Sequence, residues 1–247
     1  MSRKMPWLNP ASRFPETRAS VLERVKSAEP EVRREAFGQI VTGYWKPVYK
    51  YLRLKWGLGD EDAADATQGF LSRAFEKDFF DTFKPSRARF RTFLRVCVDR
   101  FVMNERQAAS AQRRGGGAQA VPLDFALAEA ELSHHEVAGD DPDRLFHQEM
   151  LRDLVGRTLN EVRQECEQSR HGVAFRAFER YDIEPPDDLT YAALARELDI
   201  PVTQVTNYLA AVRRMFRTRV LANLREMSGS DAEFRADARE LFGVEVR

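Results

Sequence analysis

The sequence predicts a nearly all-α protein made of two small helical domains joined by a flexible linker. Apolar residues recur at three- and four-residue steps through most of the chain. No Asn-Gly or similar hairpin signal separates alternating runs. Prolines and glycines also stand where helices should begin and end, as at Pro30 and Gly57. With 247 residues, 43% hydrophobic and 32% charged, the chain is long enough for two such domains.

The first sixteen residues hold three prolines and no apolar run of signal-peptide length, and are expected to form a loose tail. Thr17 can cap a helix carrying Val21, Leu22 and Val25. Pro30 suits the first turn of a second helix, with Val32, Phe37, Ile40 and Val41. A third is expected to begin near Pro47 and to stop at Gly57 and Gly59, and its aromatics read as core. Asp60, Glu61 and Asp62 open the next helix, where acids favour the positive end of the dipole. Glu61, Asp62 and Asp65 could face magnesium instead, but no second group of ligands has matching spacing.

The stretch from Phe79 to Arg106 is the expected centre of the protein. Phe90, Phe93, Leu94, Cys97, Val98 and Phe101 make one apolar helical stripe, flanked by Arg91, Arg95 and Asp99 at four-residue steps. Lys84 and Arg87, Arg89, Arg91, Arg95, Arg100, Arg106, Arg113 and Arg114 face only Asp99 and Glu105, a local balance of plus seven in a chain of zero net charge. Cys97 and Cys166 have no short-spaced Cys or His partner, so neither zinc nor a disulfide is expected.

Residues 107–143 read as the linker. From Asp124 to Glu149 eight acids oppose Arg144 alone, which by itself predicts a solvated connection containing His134 and His135 as plain loop residues. Helical periodicity resumes after Pro142 with Leu145, Phe146, Met150, Leu151, Leu154, Val155 and Leu159, and breaks at Pro185 and Pro186. The segment LTYAALARELDIPVTQVTNYLAAVRR then has the form of a helix-turn-helix, with Leu194, Ala195 and Leu198 on the first helix and a turn at Asp199 and Ile200. Val205, Leu209, Val212 and Phe216 mark the buried side of its second helix. Thr203, Asn207 and Arg214 lie opposite, flanked by Gln204 and Thr206, where a DNA major groove would meet them. Arg213, Arg214, Arg217, Arg219 and Arg225 make that helix basic, with no acid between Val202 and Arg225. A last helix, DAEFRADARELF, is expected beyond Gly229.

Two stretches in this order resemble the sigma-70 family of RNA polymerase initiation factors, in its small extracytoplasmic-function type. YWKPVYKYLRLKWG, DEDAADATQGFLSRAFEK and FRTFLRVCVDRFVMNE are similar to the family's second conserved region, and TYAALARELDIPVTQVTNYLAAVRR to its fourth. The resemblance implies a region-2 domain over 17–106, a region-4 domain over 144–228 and a tail over 229–247. It implies that Asp62, Asp65, Thr67, Gln68 and Arg73 contact the β′ clamp helices of core RNA polymerase, with the β flap as a further polymerase partner. It also implies that Phe83, Lys84, Ser86, Arg87, Arg89, Arg91 and Arg95 capture the melted minus-10 strand of promoter DNA, and that Thr203, Gln204, Thr206, Asn207, Arg213, Arg214 and Arg217 read the minus-35 element. Gly69 stands where the family usually has an acid, and Asp199 where it often has a glycine in the turn. The expected protein is cytoplasmic, catalyses no covalent chemistry, needs no cofactor or metal, and is open to restraint by an anti-sigma factor or other regulator. The alternatives are a stand-alone helix-turn-helix regulator of transcription, a helical interaction protein and, last, a metal-dependent enzyme.

Overall fold

The computed structural model describes residues 21–76, 79–111, 123–132, 141–186 and 188–245. It is all helical, with 82% helix and no strand among the described residues, as the periodicity predicts. Thr17, the 1–16 segment, His134 and His135 lie outside the described residues. Among the described residues, ten α-helices follow in order: α1 Val21–Val25, α2 Pro30–Trp56, α3 Asp60–Glu76, α4 Phe90–Ala111, α5 Phe125–Leu132, α6 Pro142–Gln168, α7 Gly172–Phe178, α8 Tyr191–Glu197, α9 Val202–Met227 and α10 Asp231–Phe242. A 3-10 turn at Phe79–Thr82 precedes α4, and a π-helical turn at Glu179–Ile183 follows α7. No described helix is long and apolar enough to cross a membrane.

The described chain divides into two compact units. The first comprises 21–153 together with Glu226–Phe234, and the second Leu154–Arg225 together with 235–245. The division falls between Asp153 and Leu154, within α6, and a short piece near the C-terminus belongs to the first unit.

Helix α2 corrects the expectation of a helix beginning at Pro47, because it runs unbroken through that residue. Proline lacks the N–H that would bond to Gly43 and costs about 3 kcal/mol in a helix interior. Burial of Tyr44, Val48, Tyr51 and Leu52 on both sides of it offsets that loss, since each large apolar side chain contributes roughly 1.5–3 kcal/mol. The helix stops at Gly57, whose φ of 61° is left-handed, with its N–H returning to the Leu52 carbonyl.

Burial in the first unit follows the predicted stripe. Phe90, Leu94, Val98 and Phe101 are buried, while Phe93 and Cys97 sit half-buried at its edge. Phe79, Phe80, Phe83, Phe90 and Phe93 form one edge-to-face and tilted cluster with centroids 5.1–6.2 Å apart. On the flank, Arg95 bonds Asp99 at 2.6 Å, and Asp99 also accepts from the Tyr51 hydroxyl and the Trp56 indole N–H.

The Glu226–Phe234 piece closes over the start of α4. The Tyr44 hydroxyl donates to the Met227 carbonyl at 2.6 Å, and the Met227 side chain packs on Gly43. Glu233 is 8% exposed and accepts from the Phe90 N–H at 2.9 Å and the Gly229 N–H at 3.0 Å. It thus satisfies one of the orphan donors at the α4 N-terminus, where its charge also suits the dipole. Gly229 is needed for close approach, because a Cβ there would lie 2.8 Å from the Phe83 ring and 2.9 Å from Phe90 Cβ. Gly229→Ala is therefore expected to lower stability by about 1–3 kcal/mol in denaturant unfolding, and an unchanged midpoint would refute this packing.

The described parts of 107–143 are mainly helical. Helix α4 continues through Ala111, α5 occupies Phe125–Leu132, and α5 packs on α2 inside the first unit. The second unit is built around Phe178 and Phe216, whose rings lie 5.9 Å apart, with Val205, Leu209, Val212 and Val220 buried along α9.

Candidate nucleic-acid interface

The helix-turn-helix geometry arises locally. Thr190 caps α8, its hydroxyl accepting from the Ala193 N–H at 3.1 Å. The chain then reverses at Asp199, whose φ of 53° is left-handed, and the Ile200 N–H bonds the Ala195 carbonyl at 3.0 Å. Asp supplies the conformation that glycine often provides at such turns, because its short polar side chain tolerates that region. Pro201 leads into α9, and burial of Val205, Leu209, Val212 and Phe216 fixes the rotation of that helix.

Thr203, Thr206, Asn207 and Arg214 are consequently exposed along one outward row, as the 100° spacing predicts. Gln204 is half-buried and its amide donates to the Tyr208 hydroxyl at 2.6 Å. Arg217 is also half-buried. Arg213 departs from the expected DNA-contacting role. Its guanidinium forks onto Asp182 with two bonds of 2.9 Å and lies over the Tyr181 ring, so it fastens the π-helical turn to α9.

In the first unit, the expected polymerase-contacting residues of α3 separate by burial. Asp62 and Asp65 are exposed and Gln68 is half-buried. Thr67 does not join them: it is fully buried, and its hydroxyl donates to the Ala63 carbonyl one turn back at 2.7 Å. Arg73 is exposed, pairs with Glu105 at 3.2 Å and covers the edge of the core by lying over the Phe101 ring. Gly69 has a physical reason to lack a side chain, since a Cβ there would stand 3.3 Å from that same Phe101 ring.

The strand-capturing set divides similarly. Lys84, Ser86 and Arg87 are exposed on the loop before α4, and Arg89 is half-buried. Phe83 is a core residue instead of a stacking platform, 6% exposed and packed among Phe90, Phe93 and Gly229. Arg91 is likewise buried at 7% exposure, beside Asp143, Phe146 and His147 at the start of α6. Arg95 is held between Asp99 and Asp143, at 2.6 Å to each. Both acids hold its charge in place, so it meets solvent only in part.

The α2–α5 contact is a feature that sequence reasoning missed. Asp124 caps α5 by accepting from the Leu127 N–H at 3.0 Å. Glu129 receives two guanidinium bonds from Arg53 and one from the Tyr49 hydroxyl, at 2.5–2.9 Å. Glu131 bridges Lys46 at 2.8 Å and the buried Lys50 at 2.6 Å, while Lys50 also faces Glu149 of α6 at 3.4 Å. Arg53 holds the Glu129 carboxyl below the usual range against the opposing effect of burial. Burial pushes Glu131 up, but the Lys46 and Lys50 bonds outweigh it and the net shift is downward. A lowered carboxyl stabilises the folded form above its unfolded pKa, so this contact strengthens toward neutral pH and weakens as pH falls through the folded values.

Among the described residues no group of three or more His, Cys, Asp or Glu is placed to hold a metal ion. Burial pushes the Cys97 thiol up to about 11, against an opposing pull from Arg100, so it stays protonated at neutral pH. The chain matches no family model, no curated protein and no solved structure.

Proposed function

We propose that this chain is a cytoplasmic transcription initiation factor of the sigma-70 type, directing core RNA polymerase to a promoter without covalent chemistry of its own. The observation that carries the reading is the outward row of Thr203, Thr206, Asn207 and Arg214 on a helix entered through the Asp199 turn. Such a row offers hydrogen-bond donors and acceptors to base edges and a cation to phosphate. The exposed Asp62, Asp65 and half-buried Gln68 on α3 supply the companion surface for polymerase. Strand capture then falls to Lys84, Ser86, Arg87 and Arg89, with Phe83 and Arg91 supporting the loop from beneath.

The decisive experiment is equilibrium binding of the purified protein to bacterial core RNA polymerase without DNA. Tight binding that Asp65→Arg and Gln68→Ala weaken is the expected result. Promoter binding by the complex should then fall with salt at a logarithmic slope of about −3.6 if four phosphates are neutralised.

A stand-alone helix-turn-helix regulator is the second reading, favoured by one observation: Phe83 and Arg91 are buried. It predicts no polymerase binding and specific binding to duplex DNA alone.

A further inference from the structure

Helix α2 carries a second feature that the initiation reading does not use. Between Ala36 and Gly59 the sequence holds no acid, while Lys46, Lys50, Arg53 and Lys55 follow one another among Trp45, Tyr49 and Trp56. The face bearing Trp45, Lys46, Tyr49 and Arg53 is covered by α5. Phe125 sets its ring edge-on against Trp45 at 5.5 Å and tilted against Tyr49 at 5.1 Å. Glu129 and Glu131 place their carboxylates on Arg53, Lys46 and Lys50.

An aromatic ring against two aromatic side chains, with anions on the cations beside them, is the arrangement that a base and its flanking phosphates would make on the same face. We propose that this α2 face is a binding site for single-stranded nucleic acid, and that α5 is its resident mimic in cis, Phe125 standing in for a base and Glu129 and Glu131 for phosphates.

The cover is built to be exchangeable. At eight residues α5 is far too short to persist as a helix by itself, so its order depends on what it touches. Of its larger apolar side chains, Leu127 is 49% exposed, leaving Phe125, the half-buried Leu132 and the buried Ala128 as apolar anchors. The remaining hold is ionic, and salt or a competing polyanion weakens such contacts.

The geometry also limits the ligand. With α5 in place, the groove between α2, α3 and α5 is lined by Tyr49 and Arg53 of α2 and by Asp60 and Glu61 of α3. A phosphate chain must therefore follow the Lys46–Arg53 edge. When α5 leaves, Lys50 keeps Glu149 at 3.4 Å while Lys46 keeps only the more distant Asp153 at 4.0 Å, so Arg53 is the main phosphate contact and Lys46 the second. Duplex DNA, with its bases stacked inside, cannot offer a face to Trp45 and Tyr49.

The test uses the full chain with no polymerase present, so its outcome is independent of the initiation reading. Anisotropy of a labelled single-stranded DNA of about 20 nucleotides reads binding, and hydrogen exchange at Phe125–Leu132 reads release of α5. Glu129→Gln with Glu131→Gln, and separately Phe125→Ser, should raise exchange in that segment. Each should tighten binding by at least about tenfold, because the uncovered fraction rises. Adding Trp45→Ala or Arg53→Ala to the double glutamine variant should abolish the gain, and the released protein should show a salt slope of about −1.4 for two phosphates. The proposal fails if neither release variant raises exchange, or if release brings no gain in binding. It also fails if the gain survives both face substitutions or disappears with Lys84→Ala and Arg87→Ala, which would place it on the loop before α4. Binding of the peptide FALAEAEL but not the oligonucleotide would assign the face to an acidic protein helix instead.

Discussion

Replacing Glu233 with alanine is expected to destabilise the first unit by about 2–4 kcal/mol. Its carboxylate accepts from Phe90 and Gly229, and both N–H groups are buried with it. Alanine removes the acceptor and leaves two donors desolvated, each costing roughly 1–3 kcal/mol. It also removes a negative charge from the α4 N-terminus, a smaller loss. Glu233→Gln keeps one carbonyl oxygen and should cost less than the alanine change. Denaturant midpoints of the two variants would check the order, and equal stability of wild type and Glu233→Ala would show that the contact contributes nothing. Because the same segment covers the first turn of α4, Glu233→Ala should also speed hydrogen exchange near Phe90.

The second large effect separates two adjacent arginines. Arg213→Ala should lower stability by about 2–3 kcal/mol, because it strands the Asp182 carboxylate, only 7% exposed, without its forked partner. The neighbouring Arg214 is exposed, so Arg214→Ala should leave the unfolding midpoint within about 0.5 kcal/mol of wild type while weakening DNA binding. Thermal unfolding and duplex binding measured on both variants would distinguish them. Equal stability losses would mean that the Asp182 fork does not fasten the turn to α9. Asn207→Ala should leave folding alone and relax base choice at one position by about 1–3 kcal/mol, since its side chain is exposed on the outward row.

What could be read from the sequence was local. The α4 stripe, the stop at Gly57, the left-handed turn at Asp199 and the outward row of α9 depend on neighbours within four or five residues. Their burial follows the predicted periodicity. The α10 boundaries, Asp231 to Phe242, follow the predicted segment for the same reason. Even the Ser230-x-x-Glu233 spacing carries a local capping signal, and the Glu233 N–H does bond the Ser230 hydroxyl at 3.2 Å.

The tertiary structure decided which side chains remained available. Arg91 and Phe83 had suitable chemistry for a captured strand, but both are buried, Phe83 against Gly229 of the 226–234 segment. Thr67 turned to its own helix, and Arg213 to Asp182 thirty-one residues earlier. The acidic run read as a solvated connection because a charge count carries no information about distant partners. Glu129 and Glu131 meet Arg53, Lys46 and Lys50 across roughly eighty residues of chain. Periodicity specifies the face a helix buries, since 3.6 residues per turn is a property of the backbone itself. The partner for each exposed charge depends on which elements the chain brings together, and that is a property of the folded whole.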